Sequence, residues 1–176
     1  VEEGNEALAA GEPGAAIAAY ESAAESIPES AGLNYDRGLA LSDLGRHDEA
    51  TQMLLRSLDT RDANLKADVL AALGLAYGRW GQHIERTGVE PGEQPAPEGP
   101  GVSTESANAA EAALPKWERS VEHLEDALAV RPADLEVLRN LEVALLRVDP
   151  PCASRDDELE PNDAPGAPHL IDMSAV

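Results

Sequence analysis

Four histidines, one cysteine and a cluster of carboxylates are the side chains of this sequence with the means to act as metal ligands, bases or nucleophiles. His47, His83, His123 and His169 lie tens of residues apart, and none has a second ligand beside it at zinc-site spacing. Each is expected at the surface. His123 falls between Glu122 and Glu125, but neighbours one or two positions apart on a helix do not face each other, so no acid–base pair forms there. Cys152 stands alone and builds neither an internal disulfide nor a multi-cysteine zinc site. Asp156, Asp157, Glu158 and Asp163 offer the oxygen ligands that Ca²⁺ takes, yet their spacing is not that of an EF-hand loop and Pro161 interrupts it. A solvated acidic linker accounts for them better. A nucleophile with its base and orienting group is missing, as is a glycine-rich phosphate cradle. No catalytic, cofactor or metal residue is assigned, and the chain is expected not to be an enzyme.

What those side chains lack, the rest of the composition explains. The chain has 176 residues, 43% of them hydrophobic, with two Trp, three Tyr and no Phe. A core built mainly from Ala and Leu favours close-packed helices, because both are strong helix formers. The formal net charge of −21 repels phosphate backbones, so nucleic acid and anionic membrane surfaces are unsuitable partners. No apolar stretch is long enough to cross a bilayer as a helix. The chain opens at Val1 without a methionine, a basic segment or an apolar leader core, and is expected to be a piece of a longer or processed protein.

An internal period organises the chain. Gly4 and Gly11 recur as Gly38 and Gly45 after 34 residues and as Gly74 and Gly81 after a further 36, which places a two-residue insertion at 61–65. In the same frame Ala16, Tyr20, Ala23 and Pro28 correspond to Ala50, Leu54, Ser57 and Asp62, and later to Ser120, Leu124, Ala127 and Pro132. Glycine and alanine at Gly4, Gly38, Gly74, Ala16 and Ala50 let two helix backbones approach, while leucines and tyrosines at i, i+3, i+4 spacing fill the seams. Gly11, Gly45 and Gly81 are expected to stop helices. The predicted helices are 1–10, 13–26, 32–44, 47–59, 65–86, 104–130 with a break or kink near Pro115, and 134–148. The last is expected to be a polar outer cap that packs through Leu138, Leu141, Leu145 and Val148.

Between Gly81 and Ser120 the spacing exceeds the repeat by 34 residues, so 83–115 is read as an insertion. Residues 87–103 are rich in Pro and Gly and have no apolar face, and the helix-prone stretch after them is expected to project beyond the array. From Asp149 onward helical periodicity is lost and seven acidic residues face one arginine. Together the insertion and this tail carry about half of the net charge.

The segments "NYDRGLALSDLGRHDEATQMLLRSL" and "SVEHLEDALAVRPAD" resemble tetratricopeptide repeats, and the resemblance covers about residues 1–148 apart from the insertion. Glu3, where the family carries a leucine before the glycine, and Asp62, where it prefers proline, depart from its pattern. The resemblance implies an all-α helix-turn-helix array, an α-solenoid, with repeats at about 1–30, 31–64 and 65–132, a capping helix at 134–148 and an acidic tail at 149–176. It also implies a non-catalytic scaffold that binds a partner peptide or helix in a concave groove lined by the first helix of each unit. Here the groove would present Asn5, Tyr35, Asp36, Leu39, Ser42, Asp43, Asp68, Leu75, Arg79, Arg139, Val143 and Arg147. Family members that hold chaperone C-termini clamp the carboxylate with basic and asparagine side chains. Only Asn5 matches that clamp, and Asp36 and Asp43 oppose it. A partner with an apolar anchor and a basic segment at the Asp36 end fits better.

"VLRNLEVALLRVDPP", chiefly its 140–145 run, resembles the end of the tetratricopeptide proteins of bacterial aerotolerance operons, which accompany membrane proteins carrying von Willebrand A domains. "ELEPNDAPGAPHLID" resembles the opening of bacterial extracellular modules of the pre-peptidase C-terminal type. Both imply a bacterial periplasm or cell envelope in preference to the cytoplasm. The competing expectation is a structural spacer that self-associates end to end through its terminal helices.

Overall fold

A computed structural model of the chain describes residues 1–26, 30–91 and 105–149, with side chains omitted for 105–107. Pro28, Cys152, His169, the 156–163 carboxylates, most of the Pro/Gly-rich segment and nearly all of the tail lie outside the described residues. The described residues form seven helices and no strand: α1 (Glu2–Ala9), α2 (Pro13–Ala24), α3 (Ala31–Asp43), α4 (His47–Ser57), α5 (Ala63–Thr87), α6 (Glu105–Val130) and α7 (Leu135–Val148). The all-helical expectation and its element order hold.

Local chemistry sets the helix ends. Ser30, Asp62 and Asp134 cap α3, α5 and α7 by accepting from backbone N–H groups two or three residues on. The Asp62 departure from the repeat pattern is thus a helix start. Pro13 opens α2, where its missing N–H costs nothing. After α3 the chain reverses at Gly45, whose φ of +73° is open to glycine and strained for other residues.

Helices pair in chain order, α1 with α2, α3 with α4, α5 with α6, and each pair also packs on the next. The glycines of the 34- and 36-residue period sit in these pairs. A methyl group at Gly38 would lie 2.6 Å from Leu54 Cγ and 3.3 Å from the Ala50 carbonyl oxygen. At Gly74 it would lie 2.7 Å from Leu124 Cδ2 and 3.2 Å from the Ser120 carbonyl oxygen, and at Gly4 2.6 Å from Tyr20 Cδ1. Equivalent positions of the repeat therefore make equivalent close approaches. In α5 and α6 the order runs Gly74 to Leu124, Gly78 to Ser120 and Gly81 to Trp117, so these two helices are antiparallel.

Gly81 does not stop a helix. It lies inside α5 with Trp117 against its bare face, and α5 continues to Thr87, where Gly88 at φ +74° ends it. Residues 83–87 of the insertion belong to α5 and 105–115 to α6, close to the predicted helices 65–86 and 104–130. Both helices are lengthened together, to 25 and 26 residues. Ala109 and Ala113, in the stretch expected to project, are buried, and Ala113 joins Trp117, Trp80 and Ile84 in one core cluster. Nor does Pro115 break α6, which is helical on both sides of it. Its ring lies on the exposed side, and the residue costs α6 one backbone hydrogen bond and crowds the carbonyl one turn earlier.

The final helix packs through a face rotated from the expected one. Val137 and Ala144 are buried, Leu141 and Val148 are packed beside them, and Leu138 and Leu145 stay exposed. The smaller pair faces inward because it lets α7 approach Ala127 and Leu124 more closely than two leucines would.

Candidate functional site

The odd-numbered helices α3, α5 and α7 turn one side toward each other, and two adjoining cavities run along it. The first, of about 420 Å³, has Leu39, Ala71, Ala72, Leu75 and Val137 among its apolar lining residues, together with Tyr35 and, from α1, Leu8. The second, of about 750 Å³, is more polar, with His47, Gln82, His83, Arg86 and Arg147 in its lining. Ser42, Asp43 and Arg79 belong to both, so the two form one groove.

Cross-helix polar contacts hold its sides. From α5, Arg79 Nη1 donates to Asp43 Oδ1 of α3 at 2.7 Å and to Ser42 Oγ at 3.3 Å. Arg131, just past α6, forms an ion pair with Asp68 of α5. Arg147 of α7 reaches Glu85 of α5 at 3.1 Å. Apart from the more buried Glu85, these charges are about half exposed, so each pair adds little to stability and mainly fixes where a charge sits. Burial raises the pKa of Tyr35, and the nearby carboxylates of Asp68 and Asp36 push the same way. Its phenol therefore stays protonated and keeps its hydrogen-bond donor.

Of the residues assigned from the sequence, Tyr35, Leu39, Ser42, Asp43, Asp68, Leu75 and Arg79 are brought together in the apolar half of the groove, and Arg147 joins its polar half. The remaining four stand apart. Asn5 accepts the Tyr20 hydroxyl at 2.7 Å and ties α1 to α2. Asp36 lines neither cavity, and burial raises its pKa. Arg139 is exposed on the far side of α7, and Val143 is exposed outside both cavities. The rotation of α7 explains the last two: Asn140 and Val137 take the places expected of them. Ala71, Arg131 and Asp134 also contribute and went unassigned, Arg131 and Asp134 because they sit in the turn before α7. Their acidic–basic alternation with Asp68 and Arg79 is the one signal that would have found them.

Two of the histidines are not where the sequence suggested. His47 and His123 are buried, and they close a ladder of rings in which His47 stacks on Trp80, Trp80 on Tyr77 and Tyr77 on His123, with centroids 6.4, 6.2 and 5.5 Å apart. Burial lowers both pKa values, aided at His47 by His83 and Arg79, and opposed at His123 by Glu122 and Asp126. His83 lies 5.8 Å from His47, edge to face. Among the described residues no three His, Cys, Asp or Glu side chains gather as a metal site would need. No described helix is long and apolar enough to cross a membrane.

Compared with known proteins, the chain matches no protein-family model and no curated protein.

Proposed function

We propose that the chain is a tetratricopeptide-type scaffold that holds a segment of another protein in the groove of α3, α5 and α7. The observation that carries this reading is the groove itself, an open channel with apolar lining at Leu39, Ala72 and Leu75, flanked by the Arg79–Asp43 and Arg131–Asp68 pairs that cross between helices. Such a lining offers an anchor pocket for one or two apolar side chains. Recurrent close approach at Gly4, Gly38 and Gly74 supports the repeat assignment, because it gives three helix pairs the same seam.

The partner segment is read as apolar at its centre and basic where it passes Asp134 and Glu136, carboxylates of the lining that no described arginine or lysine pairs. Work on the groove is binding, with no reaction assigned to it. The resemblance of the 140–145 run to aerotolerance-operon proteins supports a bacterial envelope setting and a membrane protein with a von Willebrand A domain as the partner.

Peptide display against the full chain tests this. Selected peptides are expected to carry an apolar anchor with flanking Lys or Arg, and to lose binding at least about tenfold to a Leu75→Glu variant, a position exposed enough to leave the fold intact. Peptides that bind the variant as tightly as the unaltered chain would place the site elsewhere.

A further inference from the structure

With its inner face spent on α5 and α6, α7 keeps a second apolar stripe on the opposite side. Leu135, Leu138, Val143, Leu145 and Leu146 are all exposed, Leu135 at 74% and Leu146 at 51%, on a helix of 14 residues. Exposed leucines at this density on one short helix are unusual for a surface that faces water alone. Leu135, Leu138, Arg139, Glu142, Val143 and Leu146 follow the i, i+3, i+4, i+7, i+8, i+11 spacing of a single helix face.

The order of those six residues matters more than their number. Read from either end the face runs apolar, apolar, charged, charged, apolar, apolar, and its central pair has opposite signs. A two-fold axis between residues 140 and 141 sets Leu135 against Leu146 of a second copy, Leu138 against Val143, and Arg139 against Glu142. Each of the four apolar residues of this six-residue face then meets an apolar one, and both central contacts join opposite charges. Parallel pairing in register would instead set Arg139 on Arg139 and Glu142 on Glu142. Among the described residues neither charge is engaged in an ion pair.

We infer that the outer face of α7 is a dimer surface for a second copy of this chain, paired antiparallel about that axis. The contact is isologous and closes at two copies, unlike an end-to-end spacer, which would grow. It is independent of the groove reading, since the groove lies on the other side of α7. A single pair of helices, each about 21 Å long, makes a small interface compared with the roughly 1,200 Å² from which stable ones start, so the dimer is expected to be reversible.

Sedimentation velocity of the full chain tests it across about 1 to 500 μM, the range suited to a small interface. The mass is expected to move from 18.5 kDa toward twice that value and no further. Arg139→Glu and Glu142→Arg, each on an exposed site, should weaken self-association about tenfold or more by setting like charges together. The double variant R139E/E142R should restore it. A mixture of the two single variants should form a heterodimer more tightly than either variant pairs with itself. A monomer at every concentration would overturn the inference. So would a dimer indifferent to these reversals, or species that keep growing beyond two copies.

Discussion

Replacing Gly74 by alanine adds one methyl group where two helices have the least room. The new carbon would lie 2.7 Å from Leu124 Cδ2 and 3.2 Å from the Ser120 carbonyl oxygen, against the roughly 3.5–4.0 Å at which carbon atoms attract. Leu124 is 1% exposed and has no solvent to swing into, so α5 and α6 must part. Parting them also stretches the 2.7 Å bond that Ser120 Oγ donates to the Gly74 carbonyl. Overpacking of this kind costs about 1–3 kcal/mol, and a weakened buried hydrogen bond adds about 1 kcal/mol. The better helix propensity of alanine returns about 1 kcal/mol. A net loss of about 1–3 kcal/mol remains, equivalent to a fall in Tm of about 2–12 °C for a chain of this size. Gly14, also helical but with nothing within 4 Å of an added methyl, is the internal control. Alanine there should raise stability by up to about 1 kcal/mol. Thermal unfolding followed by circular dichroism reads both variants. A Gly74→Ala chain as stable as the unaltered one would refute the close-approach reasoning, and with it the equivalence of the three helix pairs.

Three further outcomes follow from named contacts. Pro115→Ala should raise stability by about 1–3 kcal/mol in urea unfolding, because it returns a backbone donor to an exposed turn of α6. Trp117→Ala should lose about 3–5 kcal/mol in the same assay, since the ring fills the gap beside Gly81 and Gly78 and its N–H donates to Glu85 Oε1 at 2.9 Å. His47 and His123 have folded pKa values below the unfolded value of about 6.5. The unfolded chain then binds more protons in that window, so Tm should fall as pH drops below about 6.5, and a His47→Gln/His123→Gln variant should flatten the decline.

Helix order and most boundaries were legible in the sequence because apolar periodicity, Pro13 and the caps at Ser30, Asp62 and Asp134 all act within a few residues of the helix they define. Gly38 and Gly74 were legible as contact points because a period repeats them with their partners Leu54 and Leu124. Gly81 was not: in the repeat frame it matches Gly11 and Gly45, which end helices, and only the indole of Trp117, 36 residues away, gives it a different task. The same long-range packing of α5 on α6 carries the chain through Pro115, against its local preference. Buried histidines escaped detection because a stacked ladder with Trp80 and Tyr77 joins three helices. The groove was legible in α3 and α5, whose inward faces follow the repeat. It was misjudged in α7, where leucines on two faces make the sequence ambiguous and the smaller Val137 and Ala144 decide which face is covered.

The proposed groove is tested most directly by amide chemical-shift mapping during titration with a peptide selected against the full chain. The account predicts that the largest shifts fall on Leu39, Ala72, Leu75 and Asn140, on the inner sides of α3, α5 and α7. Shifts concentrated around Leu55 of α4 or Val130 of α6, with the inner residues unmoved, would contradict it.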